Sequence, residues 1–218
     1  MLNLGRMASL KARIRGGESA RLEFKVQSPG PLKLARVAAS FANGAGGDLV
    51  LGVDDVGRIT GLEEAETARK DLDLALHRIE PAPTVTVEHH LHDLRDVLVL
   101  SVAPLEFPEL CYVDEEGDPT LYFRIQKQTR AVDREVERSV LNLRNRFRGR
   151  RSLDEDSSRL VSWLWDKGES LESDCASKFN YSSHRLRKLA EDLIGKGYLI
   201  PCRMAGGRSY VAIRPAGT

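Results

Sequence analysis

The chain is poor in cysteine: Cys111, Cys175 and Cys202 are its only three. They are odd in number and far apart, which excludes a disulfide framework and a zinc knuckle and leaves reduced thiols as the expectation. Aromatic residues make up 6%. No apolar run approaches the roughly 20 residues that span a bilayer. Near the start, Arg6, Lys11, Arg13 and Arg15 interrupt any apolar core of a signal peptide, so a cytoplasmic location is expected. A charge of dominant sign is also missing, because 33 Lys and Arg face 32 Asp and Glu for a net charge of +1. A global basic field is thereby excluded, and any surface for a polyanion must be local.

What remains is the composition of a soluble globular protein, 41% hydrophobic and 30% charged over 218 residues, enough for one large or two ordinary domains. Leu4 to Ile14 has helical spacing. From Ala20 to Val26, Leu22, Phe24 and Val26 alternate with Arg21, Glu23 and Lys25, the period of a half-buried strand, so Glu23 and Lys25 share a face. Ser28-Pro29-Gly30-Pro31 is a turn, and Leu32 to Asn43 sets Leu34, Val37, Ala38 and Phe41 on one helical stripe that Gly44 to Gly47 ends. Asp48 to Val53 reads as a central strand, Asp54-Asp55-Val56-Gly57 as a turn, and Glu63 to Ile79 as a helix stopped by Pro81 and Pro83. Thr84 to Glu88 and Val97 to Val102 form a hairpin around Asp93 to Asp96, and Thr120 to Gln126 a further strand before a helix that begins near Asp133. The alternation predicts an α/β (α+β) domain with a mixed sheet over residues 1–150.

Residues 151–218 read as a second domain. Ser157 to Trp165, Leu171 to Phe179 and Arg185 to Ile194 are helical, the last capped by Ser182 or Ser183 with Leu186, Leu189 and Leu193 inward. Tyr198 to Cys202 and Ser209 to Ile213 flank a glycine turn, so the expectation is a small winged helix-turn-helix. In that geometry Ser183, His184, Arg185, Arg187 and Lys188 begin the recognition helix, while Arg203 and Arg208 sit on the wing. At the joint, Arg144, Arg146, Arg148, Arg150 and Arg151 crowd a helix end. They either complement its dipole or contact phosphates.

One stretch strings several spaced elements together: Glu18-Ser-Ala-Arg-Leu-Glu23-Phe-Lys25, Phe41-Ala-Asn43, Gly46-Gly47, Gly52-Val-Asp54-Asp55 and Gly57-Arg-Ile-Thr-Gly61-Leu62. This order resembles the AlbA_2 module of the Schlafen family over about Glu18 to Asp133. The resemblance implies nucleic acid as the partner, DNA or RNA. It also implies three acids as a candidate metal site of an RNA nuclease, at Glu18, Glu23 and Asp55 here. Metal-assisted phosphodiester cleavage needs hard oxygen ligands for Mg²⁺ or Mn²⁺ and often a lysine, for which Lys25 is placed. A plain alternative makes Glu23 and Lys25 an exposed ion pair and gives Asp54 and Asp55 to the turn alone. Relatives follow the late strand with an Arg-Val-Gly-Ser-type turn, whereas this chain has Phe123-Arg124-Ile125-Gln126-Lys127-Gln128-Thr129-Arg130, which keeps the arginine and lacks the glycine.

Other chemistry is less well provided for. Gly44 to Gly47 follows a helix and precedes a strand, the reverse of a phosphate-cradling loop. His90 and His92 share a strand face, with His89 beside them, but two such ligands make an incomplete metal site. Cys111 is expected buried, and Trp163 and Trp165 to belong to the core of the second domain and its rim. The reading as a whole is a nucleic-acid-binding transcriptional regulator acting as a homodimer on paired half-sites. Its alternatives are a Mg- or Mn-dependent nuclease and a protein-interaction module, and no organic cofactor is expected.

Overall fold

Strands from the two apolar runs near Phe24 and Leu49 become neighbours because each run has side chains to bury. In the computed structural model, which describes residues 10–106, 109–146 and 152–217, β1 (Leu22–Lys25) lies parallel to β2 (Gly47–Leu51), with α1 (Pro31–Asn43) as the crossover that parallel strands require. β5 (Arg95–Val102) runs antiparallel to β2, and β4 (Val85–His92) antiparallel to β5, which gives the order β1-β2-β5-β4. Leu49, Leu51, Leu98, Leu100 and Val102 face a core shared with α1 and α2 (Ala65–Leu76). Val50, Val97 and Val99 face a second core with Leu10, Ile14, Leu22 and Phe24. A sheet covered on both faces explains why its central strands read as continuous apolar runs.

A second sheet, in the order β3-β6-β7-β8, comprises β3 (Ile79–Glu80), β6 (Tyr112–Glu115), β7 (Asp118–Ile125) and β8 (Gln128–Ala131). Asn43 ties α1 to it: its Nδ2 donates to the carbonyls of Cys111 and Tyr122 at 2.9 Å, and its Oδ1 accepts from the Cys111 amide at 2.8 Å. Close approach also sets Gly47, where a Cβ would lie 2.6 Å from the Phe41 ring. The β4–β5 hairpin is longer than the sequence suggests. It extends to His92 and turns on two residues, Asp93 and Leu94, both left-handed at φ 49 and 62.

The chain divides into two compact units, one formed by residues to Leu105 with Cys111–Arg130, the other by Glu106–Leu110 with the chain from Ala131 onward. The division thus falls after Arg130 and not at Arg150, because α3 (Arg134–Arg146) packs on α6 (Ser183–Gly195) and β10 (Leu199–Met204) of the second unit. That unit also holds α4 (Glu155–Lys167), β9 (Ser170–Leu171), α5 (Glu172–Phe179) and β11 (Gly207–Ala212), with strand order β10-β11-β9. Asp154 caps α4 by accepting from the Ser157 amide at 2.7 Å, and Ser182, not Ser183, caps α6. Both units are mixed α and β, as the sequence predicts. Among the described residues no helix is long and apolar enough to cross a membrane.

Candidate functional site

Glu23 and Lys25 do share a face of β1, and they touch: Lys25 Nζ donates to Glu23 Oε1 at 2.5 Å. The alternation that turns Leu22 and Phe24 into one core turns Glu23 the other way, and only 8% of it is exposed. Its second oxygen accepts from Arg124 Nη1 of β7, an arginine only 3% exposed. Arg124 further donates to the Ser19 carbonyl at 3.2 Å and the Thr129 hydroxyl at 3.3 Å, and its guanidinium lies 5.2 Å from the centre of the Phe41 ring. The structure therefore corrects the plain alternative of an exposed pair, since the acid is bracketed by two cations and buried.

The proposed metal ligands do not assemble. Glu18 Oε1 accepts the Phe24 amide at 2.8 Å, and Asp55 stands exposed in the turn after Val53. Among the described residues no three His, Cys, Asp or Glu side chains are placed to hold a metal ion. The donor set itself does not fit Mg²⁺ or Mn²⁺: both oxygens of Glu23 are taken by Lys25 and Arg124, and a dication there would meet two positive side chains. The assignment of Glu18, Glu23 and Asp55 as metal ligands, with Lys25 as catalytic partner, is thereby corrected. Asp54 is the acid that shapes the turn. It accepts from the amides of Val56 and Arg58 and from Arg58 Nε at 2.8 Å, and these bonds, the Arg58 amide foremost, hold its carboxyl below the usual carboxylate range.

The histidines also pair singly. His89 Nε2 lies 2.5 Å from Asp96, His90 Nε2 2.9 Å from Glu88 and His92 Nδ1 3.2 Å from Asp93. His90 is buried. Cys111 is buried as expected, and burial pushes its thiol up to about 12, which leaves it inert as a nucleophile. Trp163 and Trp165 are half-buried, Trp163 edge-on to Phe179 at 5.8 Å.

The cations divide sharply. Arg144 is no surface residue: it is 1% exposed and donates to the Glu109 carbonyl at 3.2 Å, so its place among phosphate contacts is corrected. Arg146 is exposed, whereas Arg148, Arg150 and Arg151 lie outside the described residues. At the start of α6, Ser183, His184, Arg185, Arg187 and Lys188 are all exposed. Arg185 stacks 4.3 Å above the Tyr181 ring and reaches Asp156 at 2.5 Å, while Arg187 reaches Glu172 at 2.8 Å. On the β10–β11 hairpin Arg203 and Arg208 stand directly opposite one another, with Arg203 also 3.3 Å from Glu135.

Sequence reasoning missed Arg124 as the partner of Glu23, although one signal was available. An arginine inside the apolar run Leu121-Tyr-Phe-Arg-Ile125 is a candidate for burial, and a buried guanidinium needs an acid.

Among solved structures the chain is similar to the DIP2311 protein of Corynebacterium diphtheriae, at 21% identity, a TM-score of 0.43 and coverage of 97% of this chain and 38% of that one. It is also similar to the N-terminal domain of a RecG-related protein from Nitrosomonas europaea, at 24% identity, a TM-score of 0.42 and coverage of 58% and 90%. The chain thus spans well under half the length of the DIP2311 protein. No curated protein matches it. The family model described as Schlafen, AlbA_2 matches residues 18–133, a span that holds the Glu23–Arg124 pair and more than half of the chain, and the protein belongs to that family.

Proposed function

We propose that the protein binds nucleic acid, with DNA as the favoured form, and acts as a cytoplasmic transcriptional regulator. Membership of the Schlafen AlbA_2 family supports a nucleic-acid partner, and the second unit supplies the contact surface. Its order of helix, strand, helix, helix, strand, strand fits a winged helix-turn-helix, with α6 as recognition helix and the β10–β11 turn as wing. The single observation that carries the reading is the arginine pair at the wing. Arg203 and Arg208 face each other in register across β10 and β11, an arrangement of like charges that costs stability and that the exposed Glu135, 3.3 Å from Arg203, offsets only weakly. A phosphate oxygen between the two guanidinium groups removes that repulsion.

Exposed ion pairs contribute about 0–1 kcal/mol each. The carboxylates of Asp156 and Glu135 therefore hold Arg185 and Arg203 weakly enough for a phosphate to replace them. The side chains at the start of α6 would then meet base edges in the major groove. Metal-dependent cleavage is disfavoured because Glu23 is committed to Lys25 and Arg124 and Glu18 to the Phe24 amide, while Asp55 stands exposed in the turn after Val53.

Fluorescence anisotropy with duplex DNA and with RNA, each across a salt series, tests the reading. Binding should weaken linearly with log salt concentration, by about 0.9 in slope for each phosphate neutralised on a duplex. Arg203→Ala with Arg208→Ala should lower the slope by about 2 and weaken all sequences alike, whereas Arg185→Ala with Arg187→Ala should also reduce discrimination between sequences. Binding that ignores salt, or that both double variants leave unchanged, overturns the proposal.

A further inference from the structure

We infer that the free edge of β4 pairs with β4 of a second copy and joins two four-stranded sheets into one continuous sheet. β4 is the outer strand of its sheet, and among the described residues its only backbone partner is β5. Sheet edges of this kind are ordinarily kept apart by lysine, proline, a bulge or short length. β4 has none of these: Val85-Thr-Val-Glu-His-His-Leu-His92 pairs with β5 without a break over eight residues. The opposite edge, β1, is four residues long and carries Glu23 and Lys25.

The backbone direction is fixed by the pairing. The Thr84 carbonyl accepts from the Ala103 amide, and the two-residue turn closes on His92 and Arg95. Bonding alternates along an antiparallel strand, so Thr86, Glu88, His90 and His92 bond inward to β5, while Val85, Val87, His89 and Leu91 turn amide and carbonyl outward. Val87 and Leu91 are also exposed, at 40% and 47%, unusual for apolar residues in the middle of a sheet strand.

The side chains select one register. A two-fold axis normal to the sheet must set residues of the same face opposite each other, which restricts the axis to pass beside a single residue and its copy. With Glu88 on the axis, two carboxylates face each other. With His90 on the axis, Val87 faces Asp93 of the second copy. With His89 on the axis, Val87 meets Leu91 of the second copy, Thr86 meets His92, and Glu88 meets His90. Each Glu88 carboxylate, which lies 2.9 Å from His90 Nε2 of its own chain, then stands opposite the other copy's His90. The apolar pair then matches, no two carboxylates are set opposite each other, His89 faces its own copy, and Val87, His89 and Leu91 each complete their outward backbone bonds.

The seam is argued from β4 alone and is tested on the full chain without nucleic acid, so its failure and that of the DNA-binding proposal are distinguishable. Sedimentation equilibrium should give about twice the chain mass of 24.3 kDa. Val87→Lys with Leu91→Lys, both at exposed positions, should return the single-chain mass with unchanged circular dichroism. In a Cys202→Ser background, His89→Cys should form a disulfide-linked dimer on mild oxidation. Its Cα atoms would be about 5.5 Å apart across a hydrogen-bonded pair, within the roughly 4.4–6.8 Å a disulfide spans. Val87→Cys, displaced about 13 Å from its own copy in this register, should not. A wild-type chain that stays monomeric, a dimer that survives the double lysine variant, or equal cross-linking at both cysteine positions each overturns the seam. The first result is also what an edge reserved for another protein's strand would give.

Discussion

At Glu23 a buried acid is held between Lys25 and Arg124, and the energetics of such a pair are asymmetric. Removing one partner strands the other charge away from water, at about 3–5 kcal/mol, while replacing both by apolar groups is close to neutral. Arg124→Met should therefore destabilise the protein by that amount in urea denaturation, and Glu23→Leu added to Arg124→Met should recover most of the loss. Reactivity at single residues is set by burial in the same way. Burial raises the Cys111 thiol to about 12 and, with the neighbouring Asp174 charge, the Cys175 thiol to about 11, whereas Cys202 is partly exposed. Alkylation of the native protein near pH 8 should therefore label Cys202 alone, as peptide mapping would show. Tyr122 and Tyr210 are likewise raised by burial from 10.0 to about 12. Their neutral form is favoured by folding, so the contribution is complete below pH 10 and is lost as pH rises to about 12. An alkaline titration followed by circular dichroism should show stability falling across that window.

Elements were legible in the sequence where one period dominates. The two-residue alternation around Phe24 gave β1, the stripe from Leu34 to Phe41 gave α1, and the glycines after Asn43 marked its end. The β4–β5 hairpin is legible in the sequence but its two-residue turn is not, because nothing local announces that Asp93 and Leu94 both take left-handed backbone. Leucine at φ 62, 90% exposed, gains nothing from packing to offset the strain. Leu94→Gly should therefore raise stability by about 1 kcal/mol in thermal or chemical denaturation. The departure from the family turn after Arg124 has a similar local outcome, with Gln126 left-handed at φ 53 where glycine is more easily accommodated. Strand β6 and the short β3 escaped notice because four and two residues carry too little periodicity to register.

At the scale of the whole molecule, what the sequence concealed was pairing at a distance. Glu23 and Arg124 are 101 residues apart, and of the acids that the family resemblance groups, Glu23 and Glu18 serve separate partners while Asp55 stands exposed. The unit boundary was concealed for the same reason. The arginine-rich end of α3 reads in the sequence as a charged helix end at the joint of two domains, yet Arg144 is buried and α3 rests on α6 and β10. A fragment of residues 131–218 should accordingly unfold in one cooperative transition at a clearly higher temperature than residues 151–218, which lacks the helix covering α6. Differential scanning calorimetry of the two fragments would show it, and equal melting temperatures would contradict the placement of α3.

The Asn43 amide, bonded to both Cys111 and Tyr122, is followed by Gly44, and this dipeptide is the one most prone to deamidation through a cyclic imide. While the chain is folded, the nitrogen that would attack is occupied, since the Gly44 amide donates to the Phe41 carbonyl at 3.1 Å. Once unfolded, the side chain is free to cyclise and open as aspartate, which has no N–H to offer the two carbonyls. Every excursion from the native state thus risks a chemical scar at the point where helix and sheet are fastened, and heat-aged protein that fails to refold should carry that scar at position 43.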